Sequence, residues 1–453
     1  MIDSSAHRSI VSPFQSLRSS LSFLEEKGEL LRITRKVKPE FELAAVIESV
    51  QKTINKAVYF ESVEGCEGGV ASNLCGSYQR IAYMLSCDTR SIAGTWMSRF
   101  GTFKKQEHPV RSKASYETKP FHVSDLPALV FHEKDGGPYI TAGIVLVKDQ
   151  NTGTINLSFH RAHLTGTDEL GFRMGTLSGH LFMNQKMNEA QGKPLECAIL
   201  IGSSPLLMLA ATTTMSSSES ELDLAAHLLG APWPMRKCRT MDLDIPEDTE
   251  VVIEGEILPN ERRMEGPFGE WMGFYTARAP QHVFKVRTIY GRNNPVYYGI
   301  LPASTEDVVL QGVPIAGSML KAIRVFVPSV SDVVVWPNLR FCVIQIKKEM
   351  DGQERKALLA ALGAELNRIL YAVIVDEDVD IRNPSDVIWA ISTRCRPDRD
   401  IFIIPEVPSS TRDPFQRHMG RMGIDATVSL ELAKEFERKK IPMSEHVRWE
   451  DYV

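Results

Sequence analysis

The stretch TINLSFHRAHL, residues 154–164, sets the structural period for the middle of the chain. Read as a strand, it puts Asn156, Ser158 and His160 on one face and Leu157, Phe159 and Arg161 on the other. Similar runs surround it: YITAGIVLVKD (139–149), ECAILIG (196–202), EVVIEGEIL (250–258), HVFKVRTIYG (282–291) and PVYYGIL (295–301). They alternate or are short and β-branched, as the strands of a barrel or sandwich must be. Two helical segments interrupt them, SGHLFMNQKMNEAQG (178–192) and SESELDLAAHLLG (218–230). In the second, Ser218 and Glu221 have the spacing of a capping box.

Outward from this β-rich centre the pattern changes. Toward the N-terminus, SLRSSLSFLEEKGELLRITRKV (16–37) has Leu17, Leu21, Phe23 and Leu24 near helical spacing, then an alternating strand. FELAAVIESVQK (41–52) and KAVYFES (56–62) repeat that order, giving an α/β unit. The polar stretch FKKQEHPVRSKASYETKP (103–120) reads as a boundary. Beyond residue 305, DVVVW and RFCVIQIK read as strands. ERKALLAALGAELNRIL reads as a helix with Leu358, Leu362, Leu366 and Ile369 on one face, and SDVIWAISTR as another helix. The charged end, ELAKEFERKKIPMSEHVRWEDYV, reads as an exposed helix and tail. The expected class is mixed α/β, with domains at 1–115, 116–304 and 305–453.

Composition narrows the functional classes. In 453 residues, 43% are hydrophobic and 24% charged, as in a globular protein of two or three domains. A net charge of −5 without a basic block argues against nucleic acid or an anionic membrane as the main partner. No signal peptide and no membrane-spanning apolar run is read, so a soluble, cytoplasmic protein is expected. Seven scattered Cys without a CxxC pair indicate neither a disulfide framework nor a zinc finger. GxGxxG, GxxxxGK[ST], GxSxG and HExxH are all absent, which removes support for the usual dinucleotide, NTPase, esterase and zincin readings.

Chemistry concentrates in EGPFGEWMGFYT (265–276), where Glu265 and Glu270 flank a Gly-Pro-Phe-Gly turn. Acids five apart are common in solvated hairpins. Here Phe268, Trp271, Met272, Phe274 and Tyr275 build an apolar wall, and such a wall disfavours the charged form of an acid and suits a proton donor. Arg161 stands on an otherwise apolar strand face and needs an anion, either a carboxylate or a substrate; an Arg reaching water at a barrel end is the bland alternative. Asn156, His180 and Glu221 together would form a hard O/N set suited to Mn²⁺ or Mg²⁺, although capping alone accounts for Glu221 and spacing does not bring the three together. VDEDVDI (375–381) follows an apolar strand and reads as a strand end and turn.

At EGPFGEWMGFYT the sequence resembles the UbiD family of prenylated-flavin decarboxylases. NLSFHR, ECAILIGSSPLLMLAA, SELDLAAHLLGAP and VIVDEDVDIRNPSDVIWAISTR are similar to further motifs of that family, in order along nearly the whole chain. The resemblance implies a central split β-barrel binding prenylated FMN, between an N-terminal α/β unit and a C-terminal α/β dimerisation domain. It implies Mn²⁺ (or Mg²⁺) on Asn156, His180 and Glu221, a K⁺ ion, and a cofactor lined by Asn156, Leu157, Ser158, Phe159, His160, Arg161, Gly179, His180 and Glu221. It implies a catalytic network of Arg161, Glu265 and Glu270, a homodimer or higher homo-oligomer, and a UbiX-type flavin prenyltransferase as cofactor supplier. One departure is Leu370, where family members often have Lys, with Arg368 nearby. The expected reaction is reversible, non-oxidative loss of CO₂ from an aromatic, heteroaromatic or α,β-unsaturated acid. In appearance the chain is nearest to the family's heteroaromatic decarboxylases, acting on pyrrole-, indole- or furan-carboxylates. LPASTEDVVLQGVPIAGSML (301–320), apolar and without Arg or His, is expected to line a pocket for a monoacid. The rival readings are a glycosidase using the two acids and a non-catalytic flavin-binding assembly subunit.

Overall fold

A computed structural model of the chain describes residues 12–112, 117–166, 168–174, 179–336, 339–365, 368–408, 418–439, 441–443, 447 and 449–452. The chain forms two compact units. The first runs to Ser318 and includes Val335–Leu339; the second comprises Met319–Val334 and the chain from Arg340 onward.

The first unit opens with the helix Leu17–Glu26, capped by Ser16, whose hydroxyl accepts the N–H of Ser19. Its buried face is Leu17, Ser20, Leu21 and Leu24. Strands Leu30–Ile33, Ala57–Phe60 and Gly69–Ser72 form a sheet, with helix Glu42–Thr53 between the first two. The fourth strand of this sheet is Val296–Tyr298, parallel to Gly69–Ser72. PVYYGIL is therefore not a strand of the central sheet. Glu306 helps to hold it here: its carboxylate accepts the N–H groups of Asn73 (2.7 Å) and Cys75 (2.9 Å) and the Tyr298 hydroxyl.

The central sheet has nine strands. Eight follow the order Tyr139–Ile140, Ala162–Leu164, Glu169–Phe172, Ala279–Arg292, Val251–Glu265, Leu195–Ile201, Ile144–Lys148 and Ile155–Phe159; Thr118–Phe121 pairs with Ala279–Arg292. The two faces bury different clusters. Val145, Val147, Cys197, Ile199 and Ile201 enter one apolar cluster; Ile144, Leu146, Leu157, Ala198 and Leu200 enter the other. The stretch 154–164 is two strands rather than one. Ile155–Phe159 ends the eight-strand path, and Ala162–Leu164 lies next to its opposite end. Three Cα steps join Phe159 to Ala162, a span of at most about 11 Å. The sheet therefore curls until its edges nearly meet, as a split barrel does. Arg161 lies in that seam.

Local details differ from the sequence expectations elsewhere. The cap of helix Glu221–Leu229 is Ser220, whose hydroxyl accepts the N–H of Leu222; Ser218 is not the cap. In the 103–120 segment, Val110–Arg111 and Thr118–Phe121 pair with later strands. Helix Thr305–Phe326 has the length and apolarity of a membrane span, contrary to the expectation that no run does. Buried residues make up 61% of its most apolar window, which is the pattern of a core helix.

In the second unit a five-stranded sheet has the order Val330–Trp336, Phe341–Ile346, Tyr371–Asp376, His418–Ala426 and Ile401–Pro408. Helix Gln353–Ala364 buries Leu358 and Leu362; it stops before Ile369, which is buried beyond it, and Leu366 lies outside the described residues. The acids after Tyr371–Asp376 do form a strand end and turn. Asp376 and Asp378 both accept from Arg394 of helix Pro384–Arg394. The C-terminal segment expected as a helix shows, among described residues, only the short 3₁₀ turns Leu430–Leu432 and Trp449–Tyr452.

Candidate active site

Three segments of the first unit place Arg161, Glu265 and Glu270. Glu265 ends the long strand Val251–Glu265, paired with Ala279. The chain then bends at Gly266 (φ 95°) and Pro267. The two-residue strands Phe268–Gly269 and Tyr275–Thr276 form a hairpin, and Glu270 opens its turn by donating its N–H to the Phe274 carbonyl (2.9 Å). The hydrogen-bonded turn thus follows Glu270 rather than lying between the acids. Arg161 comes from the seam.

Its guanidinium joins the acids. Nε donates to Glu265 Oε1 and Nη2 to Glu265 Oε2, both at 2.9 Å, a bidentate pair. Nη1 donates to Glu270 Oε1. Nη2 also reaches Thr276 Oγ1 at 3.2 Å. The Phe268 ring lies 4.3 Å from the guanidinium carbon and the Tyr139 ring 5.9 Å. Side-chain exposure is 9% for Arg161, 1% for Glu265 and 6% for Glu270, so water screens the network little. Removing one member of such a buried pair costs about 3–5 kcal/mol.

Close packing maintains this geometry. A Cβ on Gly171 would lie 3.2 Å from His163 Cβ and 3.3 Å from Glu265 Cγ. His163 stacks on Tyr139 with ring centres 4.5 Å apart, and burial pushes its imidazole below the ordinary value. The sequence reading does not mark Tyr139, His163 and Thr276 as site residues. Thr276 had a signal, since any hairpin in EGPFGEWMGFYT brings it back toward the acids. Tyr139 and His163 had none beyond strand alternation.

The hard-donor set also converges. Asn156 Nδ2 lies 3.1 and 3.2 Å from the two Glu221 oxygens and 3.3 Å from His180 Nδ1. Leu157 donates its N–H to Glu221 Oε2 at 2.9 Å. Burial pushes the Glu221 carboxyl up to about 7, against the bonds from Leu157 and Asn156. Among the described residues Glu221 takes its hydrogen bonds from Asn156 and Leu157 and pairs with no Lys or Arg, and no group of three His, Cys, Asp or Glu forms a metal cluster. One His, one Glu and one Asn do meet. Rotating the Asn156 amide would exchange its nitrogen for its oxygen. A buried carboxylate without a cation, beside N and O donors, fits a hard divalent ion.

The remaining positions expected to line a cofactor surround these. Leu157 is buried. Ser158 Oγ lies 3.1 Å from His160 Nε2, and His160 Nδ1 lies 3.3 Å from the Arg173 carbonyl. Phe159 is half-buried at the strand end, and Gly179 precedes helix His180–Ala190. Leu370 and Arg368 belong to the second unit; Leu370 is buried, and Arg368 pairs with Glu365 at 3.7 Å.

The curled sheet brings an arginine between two buried acids, an arrangement able to hold a substrate carboxylate and move a proton. Family models described as the N-terminal, Rift-related and C-terminal domains of 3-octaprenyl-4-hydroxybenzoate carboxy-lyase match residues 21–100, 102–305 and 308–426. The chain belongs to the UbiD family. The anhydromevalonate phosphate decarboxylase of Methanothermobacter thermautotrophicus is 31% identical over 92% of this chain and 98% of its own length. The phenolic acid decarboxylase of Bacillus subtilis is 29% identical over 91% and 92%. Among solved structures, the UbiD-class enzyme HmfF from Pelotomaculum thermopropionicum in complex with FMN is 34% identical, with a TM-score of 0.91 over 97% of this chain and all of that one. An evolved dimeric form of HmfF, in complex with prFMN, gives 0.87 at the same identity. Family membership removes the glycosidase and assembly-subunit readings.

Proposed function

We propose that the protein uses prenylated FMN to decarboxylate, reversibly and without net oxidation, an aromatic or heteroaromatic monocarboxylic acid. The single observation carrying this reading is the buried Arg161 guanidinium shared by Glu265 and Glu270. Glu265 fixes the guanidinium plane. Arg161 orients the substrate carboxylate, and Glu270 delivers a proton to the carbon that loses CO₂. Asn156, His180 and Glu221 would hold Mn²⁺ or Mg²⁺, which would supply positive charge for an anionic cofactor group, with K⁺ as a further ion. When bound, the prenylated flavin supplies an electron sink for the bond to CO₂. Leu157 to His160 and Gly179 line that cofactor. Division into domains at 1–115, 116–304 and 305–453, a homodimer, and cofactor supply by a UbiX-type prenyltransferase complete the proposal.

By their names, relatives act on a phenolic acid and on anhydromevalonate phosphate, so family membership leaves ring and alkenyl acids open. The choice of a ring monoacid rests on the sequence of segment 301–320, which is largely apolar and has no Arg or His. Co-expression with a flavin prenyltransferase tests the whole reading. The purified protein should show a modified-flavin absorbance and release CO₂ from pyrrole-2- or indole-3-carboxylate in preference to the matching diacid. A protein without the modified flavin refutes the cofactor; turnover only of diacids or of a phosphorylated alkenyl acid refutes the substrate.

A further inference from the structure

The loop 132–137, HEKDGG, lies against the hairpin on both sides of Glu270. Asp135, whose side chain is fully buried, is its centre. Asp135 Oδ1 accepts the N–H of Gly269 at 2.8 Å, the residue immediately before Glu270. Oδ2 accepts the N–H of His132 at 3.0 Å and so closes the loop on itself. The Gly136 N–H donates to the Pro267 carbonyl at 2.8 Å. On the far side of the turn, the Lys134 N–H donates to Tyr275 Oη at 3.3 Å, and the His132 ring meets Tyr275 edge-on, 6.3 Å between centres. The approach is close: a Cβ on Gly269 would lie 2.4 Å from His132 Nδ1, and one on Gly136 would lie 2.5 Å from the Gly266 carbonyl oxygen. A hairpin of two-residue strands has too few ladder bonds to hold its turn alone.

We propose that Asp135 is a positioning residue for Glu270, gripping through the loop 132–137 the hairpin that presents that acid to Arg161. The inference rests on the reading of Glu270 as proton donor, and it adds a residue that does not touch the reacting atoms. An acid displaced by about 1 Å loses on the order of 10²-fold in rate while substrate binding changes little. Asp135→Ala removes both acceptors. Asp135→Asn keeps one acceptor and should recover part of the loss.

The test uses the flavin-loaded holoenzyme. Amide hydrogen exchange of the peptide covering 266–276 should quicken at least about tenfold in Asp135→Ala, with flavin and metal content parental. Its kcat should fall roughly 10- to 100-fold with KM within about twofold. Added to Glu270→Gln, Asp135→Ala should cost nothing more, because both act through one carboxylate. Unchanged exchange in 266–276 overturns the proposal whatever the activity. So does parental kcat with quickened exchange, or additivity in the double variant. If exchange quickens but Glu270→Gln alone is fully active, the grip stands as a structural fact, while both the reading of Glu270 and its positioning by Asp135 fall.

Discussion

Arg161 is the residue on which the site turns, and its two acids are not equivalent. Glu265 meets it through two oxygens from the end of a fifteen-residue strand; Glu270 meets it through one, from a turn. The rigid acid suits the fixed partner and the turn acid suits the one that exchanges a proton. Near Asn156 and His180, Glu221 is a buried carboxylate whose charge lacks a cation among the described residues. Glu221→Ala should therefore lose Mn²⁺ and flavin together, measured by elemental analysis and absorbance; full Mn²⁺ occupancy would remove these three residues as ligands. Residue type marks each of the three as a hard O or N donor, and the family resemblance groups them. Spacing cannot show that a strand residue, a helix-start residue and a second helix-start residue meet, because that depends on how the sheet curls.

At the scale of elements, alternation identifies the strands of the central sheet well where both faces are buried: Ile144–Lys148, Leu195–Ile201 and Val251–Glu265 bury residues of opposite parity in different clusters. The alternation itself breaks at His160 and Arg161: two polar residues adjoin there, and the polar parity shifts from Asn156, Ser158 and His160 to Arg161 and His163 as the backbone changes partners. PVYYGIL is legible as a strand, but its sheet is chosen by Gly69–Ser72 and the distant Glu306. Ser218 and Ser220 both suit a helix start, and burial of Glu221 against Asn156 and Leu157 accompanies the later one. The strand Ala279–Arg292 carries a pH-sensitive element at His282. Burial first, and then the Arg262 charge, pushes its imidazole from 6.5 to about 4, with Glu189 opposing. The unfolded chain takes a proton below pH 6.5 that the folded chain refuses until about 4, so this group's stabilisation is present above 6.5 and lost as pH falls toward 4. Between pH 6.5 and 4 the melting temperature of the parent should fall more steeply than that of His282→Gln. Parallel profiles would contradict this.

At the scale of the whole molecule, five ordered motifs make the family legible along nearly the full chain, and the family models match the same span. What the sequence does not expose is the seam: that eight strands in series return to within three residues of their start, and that the arginine lies where they nearly close. This arrangement brings Arg161, the end of one long strand and a short hairpin to one place, where, in the proposed function, Glu270 moves the proton that replaces CO₂. Exchange of the product's ring hydrogen in D₂O, run on flavin-loaded parent and Glu270→Gln proteins of equal flavin and metal content, tests it most directly. The parent should exchange, and Glu270→Gln should exchange roughly 10²- to 10⁴-fold more slowly, the usual worth of a positioned acid. Exchange at the parental rate in Glu270→Gln would contradict the claim and leave Glu265 as the candidate donor.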